Sequence, residues 1–310
     1  MFDGVGIPLR AGYGSGGWIS ASGSAMLAQG ESHTRRSGRD RPSSSQPGGS
    51  GIELHWENER FRRWLEALAE RHTVLRYDPL GTGLSERQRA HGDFSLEVEL
   101  GVLERLLDHL EVDRASLFGF SSGGPLAIAY AAGNPERVSR LVLYGTYGDG
   151  TSITDAETRR AFTQVVREHW GLGARVLTSV FMPVFMPEEE SSEVRWFAEL
   201  QRESASAETA ARLLGLTYEL DVSAVLEHLS APTLVLHRRD DRTIPYRLGL
   251  ELAAGIPDAV LTTLEGTCAL SVARRCRRTS GGGRGLRWAG VLSRTGRRSR
   301  GRGRGLLTSP

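Results

Sequence analysis

Residues 117 to 124 read Leu-Phe-Gly-Phe-Ser-Ser-Gly-Gly, which sets Ser121 between glycines at 119 and 123, directly after an apolar run and directly before an Ala-rich one. A serine on so tight a strand-to-helix turn has strained backbone angles, and its neighbours must be small because the chain passes close to itself. The hydroxyl of Ser121 is thereby held at the carboxyl edge of a sheet, where it could act as a nucleophile. The backbone N–H of Ser122, at the start of the helix, points where an oxyanion would form, and the helix dipole adds favourable potential. Ser122 competes for the nucleophile's place, but taking it as the central serine puts Phe120 where the first glycine belongs. A serine alone is a poor nucleophile near neutral pH, so a base and a group to orient that base are required.

The surrounding elements follow from periodicity. Trp56, Phe61, Trp64, Leu65 and Leu68 fall at helical spacing, and Thr73 to Tyr77 follows as a short strand. Leu96, Leu100, Leu103, Leu107 and Leu110 recur at three and four, which predicts an amphipathic helix leading into a strand over 115–118. An Ala-rich helix over 124–132 ends at Gly133-Asn134-Pro135, and Val138 to Tyr144 reads as the next strand. Strand and helix alternate, and the strands are almost continuously apolar. The fold class is therefore α/β, a mainly parallel, doubly wound sheet with helices on both faces.

From about 150 to 226 the rhythm breaks into helical sequence bearing Trp170, Phe181, Met182, Phe185, Met186, Trp196 and Phe197. This segment reads as an inserted cap, its large side chains packing the cap to the sheet or lining a pocket. Thr233 to His237 then resumes the sheet, followed by a helix near 248–254 and a strand over 259–264.

Length and composition limit the alternatives. The 310 residues suffice for one large α/β domain, and the chain is 39% hydrophobic and 25% charged, which excludes a disordered or collagen-like chain. No apolar run approaches the roughly 20 residues of a bilayer span, and no secretory signal is recognisable in residues 1–30. Cys268 and Cys276 are too few for a disulfide framework, so a cytoplasmic setting is expected. No His/Cys/Asp cluster has ligand spacing and no phosphate loop is present, so neither a metal nor an organic cofactor is expected.

The net charge of +2 hides a division. Residues 268–310 carry twelve Arg and no acid, while residues 50–267 are net −12. Residues 1–51 are rich in Gly, Ser and Arg without sustained periodicity, and read as disorder or linker. The expected domains are thus 1–51 disordered or out of frame, 52–267 the folded body, and 268–310 a basic tail of the same character as the first segment.

Over about 52–266 the sequence resembles the α/β-hydrolase family, and is most similar to bacterial haloperoxidase-, esterase- and iminopeptidase-like members and to hydrolase domains attached to adenylate cyclases or regulators. The motifs that carry the likeness are Gly119 to Gly123, Arg76-Tyr77-Asp78-Pro79-Leu80-Gly81-Thr82-Gly83-Leu84-Ser85, and Asn134-Pro135-Glu136-Arg137-Val138. The resemblance implies a Ser, Asp, His triad in that chain order, acting on a small ester, amide or related acyl substrate. It places the acid after the strand that follows the cap, where Asp241, four residues before Pro245, fits better than Asp240.

The histidine should follow the last strand, yet the sequence after Thr267 reads Cys268-Ala269-Leu270, and no His occurs beyond His237. His237 lies beside the acid on the strand itself and reads as structural. His55 fits neither by its neighbours nor by its place in the order. As translated, the chain is expected to be impaired, with the first strand and closing helix of the fold missing and a sheet edge exposed.

The chain holds no Lys, and Asn stands only at 58 and 134, as a GC-rich gene would dictate. Both ends lose the fold's pattern abruptly and turn rich in Arg, Gly and Ser, as GC-rich DNA does when translated out of frame. Permitted codons for residues 268–276, read one base on, encode Ala-His-Phe-Pro-Trp-His-Gly-Asp-Ala; those for residues 43–48, with the adjoining bases of codons 42 and 49, permit Val-Leu-Val-Pro-Ala-Trp-Gly. The expected partner is a small molecule, with no membrane and no nucleic acid, although the Arg-Gly run from Arg300 would suit a nucleic-acid-binding extension if the tail is genuine. The rival function is a non-catalytic module whose capped pocket senses a small molecule.

Overall fold

In the computed structural model, residues 17–21, 24–28, 55–69, 72–87, 94–176 and 191–266 are described. The apolar stretches found by periodicity become five of the strands of a sheet that has seven in all. In chain order the seven are β1 (Gly17–Ala21), β2 (Ser24–Ala28), β3 (Thr73–Leu75), β4 (Ala115–Phe120), β5 (Val138–Tyr144), β6 (Thr233–Arg238) and β7 (Val260–Leu264), arranged β1-β3-β2-β4-β5-β6-β7. From β4 to β7 all pairings are parallel, which requires a crossover after each strand.

Those crossovers are helical. The described helices are α1 (Glu59–Ala69), α2 (Leu96–His109), α3 (Gly123–Gly133), α4 (Ala156–Val176), α5 (Ser191–Ser204), α6 (Ala207–Glu219) and α7 (Tyr246–Gly255). The leucine stripe of α2 faces inward with Val102, Leu103, Leu106 and Leu107 buried, and the helix begins where the Ser95 side chain accepts from the Val98 N–H at 3.4 Å. The apolar α3 lies in the core with Leu126, Ala127, Ile128, Tyr130 and Ala131 buried. Arg137, at the entry to β5, pairs with Glu104 and Asp108 of α2, and so ties the helix to the next strand. Between β5 and β6 the chain inserts α4, α5 and α6.

Two expectations need correction at the amino-terminal end. Residues 17–21 and 24–28, expected to hold no regular structure, form β1 and β2, so the sheet does not lack strands beside β3 and β4. Gly-Trp-Ile-Ser-Ala and Ser-Ala-Met-Leu-Ala are each only five residues long and set among Gly and Ser, so a period of two has no length in which to show itself. Yet β2 runs antiparallel to both β3 and β4, which breaks the parallel order of the other strands around it. The expected closing helix, the tail 268–310 and Cys268 and Cys276 lie outside the described residues, as do Phe181, Met182, Phe185 and Met186 in the insertion.

The core is built from β4, β5, α2 and α3, with Leu103, Leu117, Ile128, Leu141 and Leu143 wholly buried. Replacing one such leucine by alanine leaves a cavity and costs about 2–5 kcal/mol. Leu141→Ala is expected to lower the urea midpoint accordingly at unchanged slope; a loss under about 1 kcal/mol would mean that β5 is not central to the core.

Candidate active site

Ser121 follows the last residue of β4 and precedes α3 by one residue. Its φ of +50° lies in the left-handed region that few non-glycine residues occupy. Its backbone is tied on both sides: its N–H donates to the Tyr144 carbonyl at 3.2 Å, and its carbonyl accepts from the Gly124 N–H at 3.0 Å and from the Thr146 hydroxyl at 2.6 Å. The small residues around it are a steric requirement. A Cβ on Gly119 would stand 2.8 Å from the Gly124 Cα, and a Cβ on Gly124 would overlap the Thr146 side chain. The Ser121 and Ser122 residues remain partly exposed at the sheet edge. Ser122, the residue that caps α3, has helical angles (φ −60°, ψ −14°) and makes no side-chain capping bond. Among the described residues its N–H meets no acceptor, as first-turn amides commonly do, and it lies at the positive end of the helix dipole.

Asp241 and Asp240 are separated by their surroundings. Asp240 is exposed, whereas Asp241 is 8% exposed, with its carboxylate fully enclosed. The turn after β6 folds back so that Asp241 Oδ1 accepts from the N–H groups of Thr243 at 2.9 Å and Ile244 at 3.0 Å. Among the described residues no donor meets Oδ2. Burial raises the Asp241 carboxyl above the ordinary aspartate range; the two N–H bonds and the neighbouring His237 and Arg238 oppose this without reversing it.

His237 Nε2–H donates to the Ile244 carbonyl at 2.8 Å and lies 4.0 Å from Asp241 Oδ2. Its ring is wholly buried, closely packed against Gly249 of α7 and edge-on to Tyr246. Burial lowers its pKa, which keeps the ring neutral. This is the behaviour of a structural histidine. His55 is also accounted for: Arg76 donates to its Nδ1 at 2.8 Å, its ring stacks on Phe61 at 4.5 Å, and burial lowers its pKa well below the usual value.

The sheet brings the two halves together. Phe120, Tyr144 and Leu236 are register partners across β4, β5 and β6, so Ser121 and the β6 turn leave the same carboxyl edge two strands apart, about 10 Å.

Two positioning groups escaped the sequence reading. Thr146 holds the Ser121 carbonyl, and the signal was a hydroxyl two residues past the end of the neighbouring strand. Arg238 donates to the Tyr144 hydroxyl at 3.1 Å and to the Glu265 carbonyl, while the Arg239 N–H donates to the Leu264 carbonyl at 2.8 Å. These bonds lay the end of β7 beside the Asp241 turn.

Among the described residues no group of three His, Cys, Asp or Glu could hold a metal, and no helix is long and apolar enough to cross a membrane. A family model described as alpha/beta hydrolase fold matches residues 46–269. The 2-hydroxy-6-oxononadienedioate/2-hydroxy-6-oxononatrienedioate hydrolase of Cupriavidus pinatubonensis is 33% identical over 69% of this chain and 74% of its own length. The 2-hydroxymuconate semialdehyde hydrolase of a Pseudomonas species is 32% identical over 66% of this chain and 72% of its own. Among solved structures, a Pseudomonas aeruginosa hydrolase is 26% identical with a TM-score of 0.59, covering 80% of this chain and 88% of that one. An enol-lactonase from Burkholderia xenovorans, 22% identical with a TM-score of 0.58 over 82% and 94%, shares the fold.

Two predictions follow from the geometry. Gly124→Ala is expected to cost at least about 2 kcal/mol, because the added methyl must displace Thr146 and with it the Ser121 turn; a neutral result in urea unfolding would refute the close approach. Because the folded-state pKa of Asp241 is raised, its contribution favours folding at low pH and is lost as pH rises through the folded value. Asp241→Asn, which keeps the Oδ1 bonds, should therefore be more stable than the parent at about pH 7, the advantage shrinking towards about pH 4. A less stable variant at pH 7 would contradict this.

Proposed function

Because this chain belongs to the α/β-hydrolase family, we propose that its site is that of a serine hydrolase in which Ser121 is the nucleophile, Asp241 orients the base and the Ser122 N–H helps to hold the oxyanion. The observation that carries this reading is the pairing, at one sheet edge, of a strained, partly exposed serine with a buried carboxylate that has one oxygen unmet by any described donor. A carboxylate is costly to bury without a partner, and a protonated imidazole is the partner that repays the cost when the serine gives up its proton.

In the reaction, Ser121 Oγ bonds to a carbonyl carbon while its proton passes to the base. The tetrahedral oxyanion then meets the Ser122 N–H at the positive end of α3. The base returns the proton to the leaving group, and water releases the acyl enzyme by the same steps. The substrate class we assign is a small molecule with an electrophilic carbonyl, an ester, amide or related acyl group. The oxo group in the name of one curated relative and the semialdehyde in the name of the other are both electrophilic carbonyls. The helices α4 to α6 form the cap over the site.

The sequence supplies no histidine after His237, and neither His237 nor His55 is free for the task. The chain as translated is therefore a triad without its base, which costs on the order of 10⁴ to 10⁶ in rate. The same absence favours a second reading, a capped pocket that binds a small molecule without turning it over. Hydrolysis of p-nitrophenyl acetate and butyrate separates the two. The chain is expected to show a weak rate that falls further in Ser121→Ala; equal rates in parent and variant, together with saturable binding of the ester, would instead favour the sensing module.

A further inference from the structure

We infer that Tyr147 is a positioning residue for the acid of the site: its ring seats Ile244, whose N–H holds Asp241, and its hydroxyl fastens that seat to the last turn of α6. The inference deepens the reading of Ser121 and Asp241 given above and rests on it.

The Asp241 turn closes on Ile244. The Ile244 N–H donates to Asp241 Oδ1 at 3.0 Å, and the Ile244 carbonyl accepts from His237 Nε2–H at 2.8 Å. With both backbone groups committed, the side chain is what remains to fix where that peptide lies. It is 4% exposed and forms a buried apolar cluster with Tyr147 and Leu248, with Ile153 and Leu220 packed against it. The Tyr147 side chain is wholly buried in that cluster.

Tyr147 is itself tethered. Its hydroxyl donates to the Thr217 carbonyl at 2.8 Å, in the last turn of α6, where carbonyls lack a partner within the helix. Burial pushes the phenol far above its ordinary range, so the hydroxyl stays a donor at any working pH. A Cβ on Gly150 would stand 2.1 Å from the same carbonyl oxygen, so the chain that enters the insertion passes close beside the tether.

Place in the sequence gives the link its reach. Thr146, one residue earlier, holds the Ser121 carbonyl at 2.6 Å, and Gly148, one residue later, accepts from the Val222 N–H at 2.8 Å where the insertion ends. Thr146, Tyr147 and Gly148 thus serve in turn the nucleophile, the acid and the base of the inserted helices. A movement of α6 is passed to Asp241 through one side chain.

The test uses the full chain with carboxyl-13C aspartate, the Asp241 signal being the one lost in Asp241→Asn, and with folding followed by circular dichroism. Tyr147→Phe removes only the hydroxyl, Tyr147→Leu removes the ring, and Ile244→Val trims the contact from the other side. In the parent, Asp241 is expected to titrate above about 3.9, the ordinary aspartate value. Tyr147→Leu and Ile244→Val admit water to the carboxylate, so their midpoints should fall towards that value by about half a unit or more, roughly threefold in proton affinity. The charges that act on Asp241 come from His237 and Arg238, and none of the three variants alters either. Tyr147→Phe should keep the parent midpoint while amide exchange at Leu220 and Val222 speeds about fivefold to tenfold, the worth of one hydrogen bond. A general loss of stability would instead speed exchange across the sheet and leave the midpoint in place. The inference is overturned by a parent midpoint in the ordinary range, by a parent midpoint retained in the ring and Ile244 variants, or by unchanged exchange in Tyr147→Phe. If Tyr147→Leu does not fold, Ile244→Val decides the midpoint. Equal hydrolysis of p-nitrophenyl acetate by the parent and Ser121→Ala sinks the reading of the site instead, and leaves the link from Tyr147 to Asp241 standing.

Discussion

The close passage of three backbone segments around Ser121 constrains everything else at the sheet edge. A chain leaving β4 must reverse into α3 within two residues. It does so only because Gly119 and Gly124 let the two approach and because the Thr146 hydroxyl and the Tyr144 carbonyl hold Ser121 at φ +50°. The conformation costs of order 1–3 kcal/mol. What the fold obtains is a partly exposed serine at the sheet edge, directly before the amino-terminal turn of a helix. Strain and exposure have one geometric source here, so a substitution that relaxes the turn also moves the Ser121 side chain.

A second tension sits across the edge. The Asp241 carboxylate is enclosed and met at one oxygen by two N–H groups, and its pKa is pushed upward because that compensation is incomplete. Protein interiors seldom leave a carboxylate oxygen bare unless something else is meant to meet it. His237, only 4.0 Å away, is not that group. Its Nε2–H is spent on Ile244 and its ring is fixed between α7 and the strand, so it sets the shape of the turn and leaves the charge unanswered.

Much of this was legible beforehand because the signals were long or sterically compulsory. The apolar runs over 115–118, 138–144 and 233–237 are buried strands, 259–264 is an edge strand with only Leu264 buried, and the leucine stripe over 96–110 is the helix it predicts. The spacing of Gly119, Ser121 and Gly123 between strand and helix leaves little else for that segment to be. The choice of Asp241 over Asp240 was weaker in the sequence, since adjacent aspartates differ only in which face they present; burial and the two N–H bonds separate them. The strands at 17–21 and 24–28 were not legible, because five residues among Gly and Ser carry no periodicity that survives comparison with loop sequence. Thr146 and Arg238 were missed for another reason: both work through backbone carbonyls far off in sequence, and no local pattern reports that.

Attachment of the inserted helices explains why chemistry could be read while specificity could not. Their two ends are stitched to one another by backbone bonds, Gly150 N–H to the Leu220 carbonyl at 2.7 Å and Val222 N–H to the Gly148 carbonyl at 2.8 Å, and Gly83 N–H reaches the Ser204 carbonyl at 2.7 Å. Backbone bonds of this kind ask little of side-chain identity. The inserted segment can therefore vary in sequence without disturbing β4, β6 or the turns that carry Ser121 and Asp241. The loop that receives it is fixed from the sheet side, since the Asp78 carboxylate accepts from the Leu84 N–H at 3.1 Å and Gly83 is packed against that carboxylate at φ +53°. The turns under tight steric control are those the sequence reveals, whereas an insertion held by its backbone leaves no comparable pattern to read.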